Sequence, residues 1–114
     1  MTYSVVVSFS MEGFHCWPEA KDVFPEVAFL SDQHRHQFGF RCYAKVSHTD
    51  RDEEFILMQR RIKKQLRTNF GGNILKFGRM SCEDIAEWLL NNNPGYLYKV
   101  EVWEDWENGA IVER

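Results

Sequence analysis

Two stretches of this 114-residue chain alternate apolar and polar side chains so regularly that extended strands with one buried face are the structures that accommodate them. In residues 3–15 the odd positions read Tyr3, Val5, Val7, Phe9, Met11, Gly13 and His15, against Ser4, Ser8, Ser10 and Glu12 among the even ones. In residues 34–48 the side chains of His34, His36, Phe38, Phe40, Cys42, Ala44 and Val46 share one parity, opposite Arg35, Gln37, Gly39, Arg41, Tyr43 and Lys45. The two strands are expected to pair with each other. Between them, residues 16–33 break the period with Pro18, Pro25 and mixed charges, which reads as a long loop; connections of this length in compact domains are more often functional than idle.

The period then changes. His48-Thr49-Asp50-Arg51-Asp52 is a polar cluster with Thr49 or Asp50 placed as a helix cap. Phe55, Met58, Ile62, Leu66 and Phe70 follow at helical spacing, and Gly71-Gly72 stops the helix. Ser81-Cys82-Glu83-Asp84 predicts a second helix opened by a capping box, with a core stripe of Ile85, Trp88 and Leu89, closed by Asn91-Asn92-Asn93-Pro94-Gly95. Alternation returns from Tyr96 to Glu104, and after a turn near Glu107-Asn108-Gly109 a short strand closes the chain over Ala110 to Glu113. The order strand, strand, helix, helix, strand, strand predicts an α+β fold, an antiparallel sheet with two helices on one face.

Composition bounds the reading. The length supports one domain over residues 1–114. With 14 Lys and Arg against 17 Asp and Glu, the net charge of -3 argues against nucleic acid or an anionic membrane as partner. The sequence reads without a signal peptide or membrane span, and Cys16, Cys42 and Cys82, an odd number at wide spacing, fit reduced thiols of a cytoplasmic protein better than disulfides.

Four polar residues, His15, His34, His36 and Glu104, fall on the apolar parity at the ends of their strands. A buried polar group without a partner costs on the order of 1–3 kcal/mol, so these four either serve one another or serve a ligand. His-x-His on a strand puts two imidazoles on one side, and His15 on the neighbouring strand offers a third nitrogen. Three protein nitrogens leave one tetrahedral position open, the catalytic pattern for zinc; the alternative is edge histidines with ordinary hydrogen bonds. Glu104 has two readings, a carboxylate accepting two N–H donors from a guanidine-like ring edge or a strand end turned to solvent. Trp103 and Trp106 beside it offer either stacking surfaces or packing. The five basic residues Arg60, Arg61, Lys63, Lys64 and Arg67 are the solvated face of an amphipathic helix or a site for an anion. Cys42 lies on the core face as an inert thiol, and His48 reads as a turn residue.

Taken in order, Phe14-His15, His34-Arg35-His36-Gln37-Phe38, Ser81-Cys82-Glu83-Asp84-Ile85-Ala86-Glu87-Trp88 and Leu97-Tyr98-Lys99-Val100-Glu101-Val102-Trp103-Glu104 resemble the motifs of the 6-pyruvoyltetrahydropterin synthase and 6-carboxytetrahydropterin synthase family. The resemblance spans nearly the whole chain. It implies the tunnelling fold, ββααββ subunits assembled as trimers or hexamers. It also implies zinc held by His15, His34 and His36, a pterin or purine-like ligand anchored by Glu104, and a pocket rim including Ser81 and Cys82. Two departures stand out. The family's general-base cysteine precedes its His-x-His pair, but Phe29-Leu30-Ser31-Asp32-Gln33 holds no thiol, and the family's Leu-Asp-His segment has no counterpart in Thr68-Asn69-Phe70-Gly71-Gly72-Asn73. Two readings follow: a zinc-dependent lyase-type synthase with another base, Cys16 or Asp32, and a protein that binds or sequesters a guanine- or pterin-like nucleotide without turning it over.

Overall fold

In the computed structural model, which describes residues 1–114, the two alternating segments form β1 (Tyr3–His15) and β2 (His34–Val46). They pair antiparallel along their whole length, from Tyr3 opposite Val46 to His15 opposite His34. Val7, Phe9 and Met11 of β1 and Phe38, Phe40, Cys42 and Ala44 of β2 are thereby buried on one face. The intervening residues are a folded strap instead of an open loop. It contains α1 (Ala20–Val23) and a 3-10 segment (Pro25–Ser31), and its two ends are joined where the Trp17 N–H donates to the Leu30 carbonyl at 2.7 Å. Pro25 starts the 3-10 turn, a position at which its missing N–H does no harm.

The first long helix, α2, runs over Phe55–Phe70 and buries Met58, Ile62 and Leu66. Its cap is Glu54, not Thr49 or Asp50; the Glu54 carboxylate accepts from the Ile56 and Leu57 amides at 3.3 and 3.0 Å. The upstream polar cluster is engaged in a turn of its own, in which Asp52 accepts from the Ser47 amide and hydroxyl at 2.7 and 2.9 Å. Phe55, expected on the core stripe, is 56% exposed at the first position of the helix. Gly71, at φ 100°, returns its N–H to the Arg67 carbonyl and ends the helix.

A two-residue strand, β3 (Leu75–Lys76), pairs parallel with β1 at Gly13 and Phe14. Two residues are too few to register as a period. Gly13 allows this close approach, since a Cβ would stand 3.0 Å from the Phe38 ring and 3.1 Å from the Leu75 carbonyl oxygen, tighter than ordinary contact. Next, α3 (Cys82–Asn91) carries the expected capping box between Ser81 and Asp84, and buries Ile85, Ala86, Leu89 and Leu90. Strand β4 (Leu97–Glu104) pairs antiparallel with β2, placing Glu104 opposite Phe38. Strand β5 (Asn108–Glu113) starts two residues earlier than the sequence indicated, because the reversal is Asp105-Trp106-Glu107. The sheet order is β3-β1-β2-β4-β5, and α2 and α3 cover one face of it. This is the α+β architecture expected from the element order.

The cap assignment can be checked by urea denaturation. Glu54→Ala is expected to lower stability by about 0.5–2 kcal/mol, the usual cost of losing an N-cap. Thr49→Ala is expected to stay within about 0.5 kcal/mol of wild type, as at an ordinary surface position.

Candidate metal centre and ligand cleft

The β1–β2 register dictates which rings meet. Because His15 is opposite His34, and His36 is two residues further along the same face of β2, the three imidazoles converge at one end of the sheet. Their ring centroids are 4.5 Å apart for His15–His34, 5.0 Å for His34–His36 and 5.4 Å for His15–His36. One nitrogen from each lies within 4.8 Å of the other two. Phe38 forms the floor, with its ring edge-on to both His15 and His36.

The other ring nitrogen of each histidine is already engaged. His15 Nδ1 is 2.9 Å from the Met80 carbonyl, His34 Nδ1 is 2.8 Å from the Asp32 carbonyl, and His36 Nδ1 is 2.7 Å from Asp105 Oδ2. Carbonyl and carboxylate oxygens only accept, so each Nδ1 carries the proton and each neutral ring presents its Nε2 lone pair. The Nε2 atoms of His15 and His36 are buried without a hydrogen-bond partner. Buried nitrogens left over in this way call for an ion or a proton. Three neutral imidazoles with free lone pairs are a donor set that suits zinc, so the residues present fit the metal that the motif resemblance implies.

Glu104, at the end of β4, closes the group. Its carboxylate oxygens stand 3.0 Å from His15 Nε2 and 3.5 Å from His36 Nε2. A lone pair facing a carboxylate is repulsive, and either a cation between them or a proton on the ring removes the conflict. Burial works against charge on His15, yet the Glu104 carboxylate and the Met80 carbonyl outweigh it and raise the imidazole above its ordinary value of 6.5. Contact with His15 in turn holds Glu104 below its ordinary 4.5 against the effect of burial.

Beside the imidazoles opens a cleft of roughly 480 Å³, within the range of small-molecule sites. His15, His34 and Glu104 form one wall, Trp17 and Leu30 of the strap a second, Arg79 to Glu83 leading into α3 a third, and Asn108 and Gly109 of β5 a fourth. Of the expected rim residues, Ser81 lines the cleft with its hydroxyl engaged by the Asp84 amide. Cys82 lines it with its thiol directed at Glu104 Oε2, 3.7 Å away. Burial first, and the Glu104 charge next, push that thiol up to about 12. Cys16 also lines the cleft, whereas Asp32 is exposed outside it and reaches the centre only through its backbone carbonyl on His34.

Other candidates are elsewhere. Trp103 and Trp106 occupy the opposite face of the sheet, where Trp103 Nε1 donates to Glu101 and Trp106 Nε1 donates to Ser10, so neither can stack on a ring in the cleft. None of Arg60, Arg61, Lys63, Lys64 and Arg67 lines the cleft; Arg61 pairs with Glu53 and Tyr96, and Lys63 lies over the Phe9 ring. Cys42 is fully buried, with its thiol pushed up to about 12 by burial. His48 sits in the turn with Asp52. The periodicity argument missed Asp105 and Glu83, because neither lies on a buried parity. The only available signal for Asp105 was its place directly after Glu104.

The His15–Glu104 pair predicts a pH signature in metal-free protein. His15, raised when folded, contributes fully below 6.5, and its contribution fades as pH rises through the folded value. Glu104, lowered when folded, contributes above 4.5 and fades as pH falls through its folded value. The stability difference between wild type and Glu104→Gln, followed by urea unfolding, is therefore expected to be greatest between 4.5 and 6.5 and to shrink on both sides.

No protein-family model matches the chain, and no curated protein matches it in sequence. Solved structures do. The 6-pyruvoyl tetrahydropterin synthase of Caenorhabditis elegans superposes with a TM-score of 0.73 at 14% identity, covering 100% of this chain and 96% of that one. The Plasmodium falciparum 6-pyruvoyl tetrahydropterin synthase gives 0.65 at 14% identity, covering 99% and 98%. An uncharacterised protein of Wolinella succinogenes matches with the same values. The chain thus has the fold of the 6-pyruvoyl tetrahydropterin synthases, as its motif order implied.

Proposed function

We propose that this chain is a 6-pyruvoyl- or 6-carboxytetrahydropterin synthase-like protein that binds a pterin or purine-derived ring beside a zinc ion held by His15, His34 and His36. The observation that carries this reading is the set of three imidazoles with every Nδ1 engaged and their Nε2 atoms left for an ion. The adjoining cleft and the fold of the solved synthases add to it. Zinc, when bound, acts as a Lewis acid on a substrate oxygen. The chain's own residues do the rest. Trp17 and Leu30 supply apolar wall, Met80 to Glu83 shape the rim, and Glu104 offers a carboxylate that would accept from ring N–H donors.

A second reading, a binding protein without turnover, is favoured by the missing proton-transfer groups. The stretch from Phe29 to Gln33 has no thiol, Asp32 is exposed outside the cleft, and the Cys82 thiol is held un-ionised, which leaves Cys16 as the remaining candidate base. Assembly as a homo-oligomer of the trimeric or hexameric kind fits the sheet's edges. Beyond Gly13–Phe14, β1 has no neighbour on its β3 side, and β5 has none beyond β4. Such edges are templates for pairing with another copy. No helix is long and apolar enough to cross a membrane.

Protein purified without added metal is expected to retain zinc at one ion per chain, and the His34→Ala/His36→Ala double variant to lose it; wild type without metal overturns the reading. Zinc at about 100 times its dissociation constant should stabilise the folded chain by about 2.7 kcal/mol. Dihydroneopterin triphosphate and guanine nucleotides, screened by thermal shift and then for product, separate the two forms. Binding with product supports the synthase, binding without product the sequestering protein, and a flat response to all of them ends both.

A further inference from the structure

The three metal-facing imidazoles are not held alike. Backbone carbonyls orient His15 and His34, whereas a carboxylate, Asp105, orients His36. Asp105 is itself fixed by three contacts to adjacent residues of β2. Its Oδ2 takes the His36 Nδ1–H at 2.7 Å, its Oδ1 accepts the Gln37 amide at 3.0 Å, and its own amide donates to the Gln37 carbonyl at 2.9 Å.

This grip requires an unusual backbone. Asp105 and Trp106 both sit in the left-handed region, at φ 52° and 58°. That conformation is tolerable for Asp and costly for a bulky side chain. The surroundings hold it in place: Trp106 lies over Gly39, where a Cβ would come within 2.6 Å of its ring atom Cδ2, and its Nε1 donates to Ser10 at 2.8 Å. The Arg41 guanidinium also lies over the indole, 4.9 Å from its centre. A local conformation maintained against its own strain by packing is characteristic of functional sites. Its visible product is a carboxylate aimed at the far nitrogen of His36, whose Nε2 is turned inward, buried and unpartnered.

Resting on the metal reading above, we propose that Asp105 is a positioning residue of the centre: it locks His36 in the Nδ1–H tautomer and holds its Nε2 turned inward toward the other two imidazoles. A carboxylate behind a ligating imidazole fixes the ring and strengthens its donation, and its loss typically weakens metal binding by about 10–100-fold.

Two measurements test this. In metal-free protein under mildly alkaline conditions, nitrogen NMR of the histidine rings is expected to show His36 as the Nδ1–H tautomer in wild type. Asp105→Ala should shift it toward Nε2–H, with Glu104 as the new acceptor. Chelator competition is expected to show zinc affinity about 10–100-fold weaker in Asp105→Ala and weakened less in Asp105→Asn, which keeps one acceptor oxygen. Should Asp105→Ala fail to fold, Asp105→Asn carries both comparisons. Ser10→Ala removes one anchor of the turn while leaving the three contacts of Asp105 to β2, and should weaken affinity by clearly less than Asp105→Ala. An unchanged His36 tautomer and affinity in Asp105→Ala, or an equal loss in Ser10→Ala, overturns the proposal. If wild type takes up no zinc the metal reading falls, and the tautomer comparison still decides the part played by Asp105.

Discussion

The register of β1 on β2 is the constraint on which the rest depends. Thirteen consecutive pairs run from Tyr3–Val46 to His15–His34. A slip of one residue would turn Val7, Phe9, Met11 and His15 to the other face together, since side chains alternate. Burial of the apolar set against α2 and α3 forbids that slip. The energy that fixes the histidines' position therefore comes mainly from the hydrophobic face some distance away: Phe9 stacks on Phe40 at 5.1 Å, and Phe38 is completely buried under the rings. The polar cluster lies at the end of a face whose other members already secure the strand alignment.

The two faces of the sheet stabilise it in different ways. On the helix-covered face the contacts are apolar. On the other, Glu101 is 6% exposed and accepts from Tyr43, Trp103 and Arg41 at 2.6, 2.9 and 3.3 Å. Burial alone would raise its pKa, but these donors hold it below the usual carboxylate value. A buried carboxylate is tolerable because several donors share it. The network ties β2 to β4 three residues before Glu104, on strands whose pairing sets where that carboxylate meets His15 and His36.

Legibility in the sequence followed the length and regularity of each pattern. The long alternating strands, the Met58–Ile62–Leu66 stripe and the Ser81–Asp84 cap were all readable, because a repeated period or paired cap residues mark them. Of the site, His15, His34, His36 and Glu104 were readable as polar residues on an apolar parity. The Glu54 cap was not, since Thr49 and Asp50 looked better suited and only the Ser47–Asp52 turn withdraws them. The strap's short helices, β3 and the placement of Trp103 and Trp106 depended on contacts distant in sequence.

Alternation and spacing, which are properties of the chain alone, determined that this protein builds a sheet with helices on one face and that His15, His34 and His36 share a side of that sheet. Folding decided the remainder: which nitrogen of each ring is free, that Cys82 points at Glu104, that Asp32 contributes a carbonyl and not its carboxylate, and that Asp105 stands behind His36. The reason is physical. Periodicity reports only which face a side chain occupies, while hydrogen-bond direction and tautomer depend on acceptors brought in from segments up to 69 residues away.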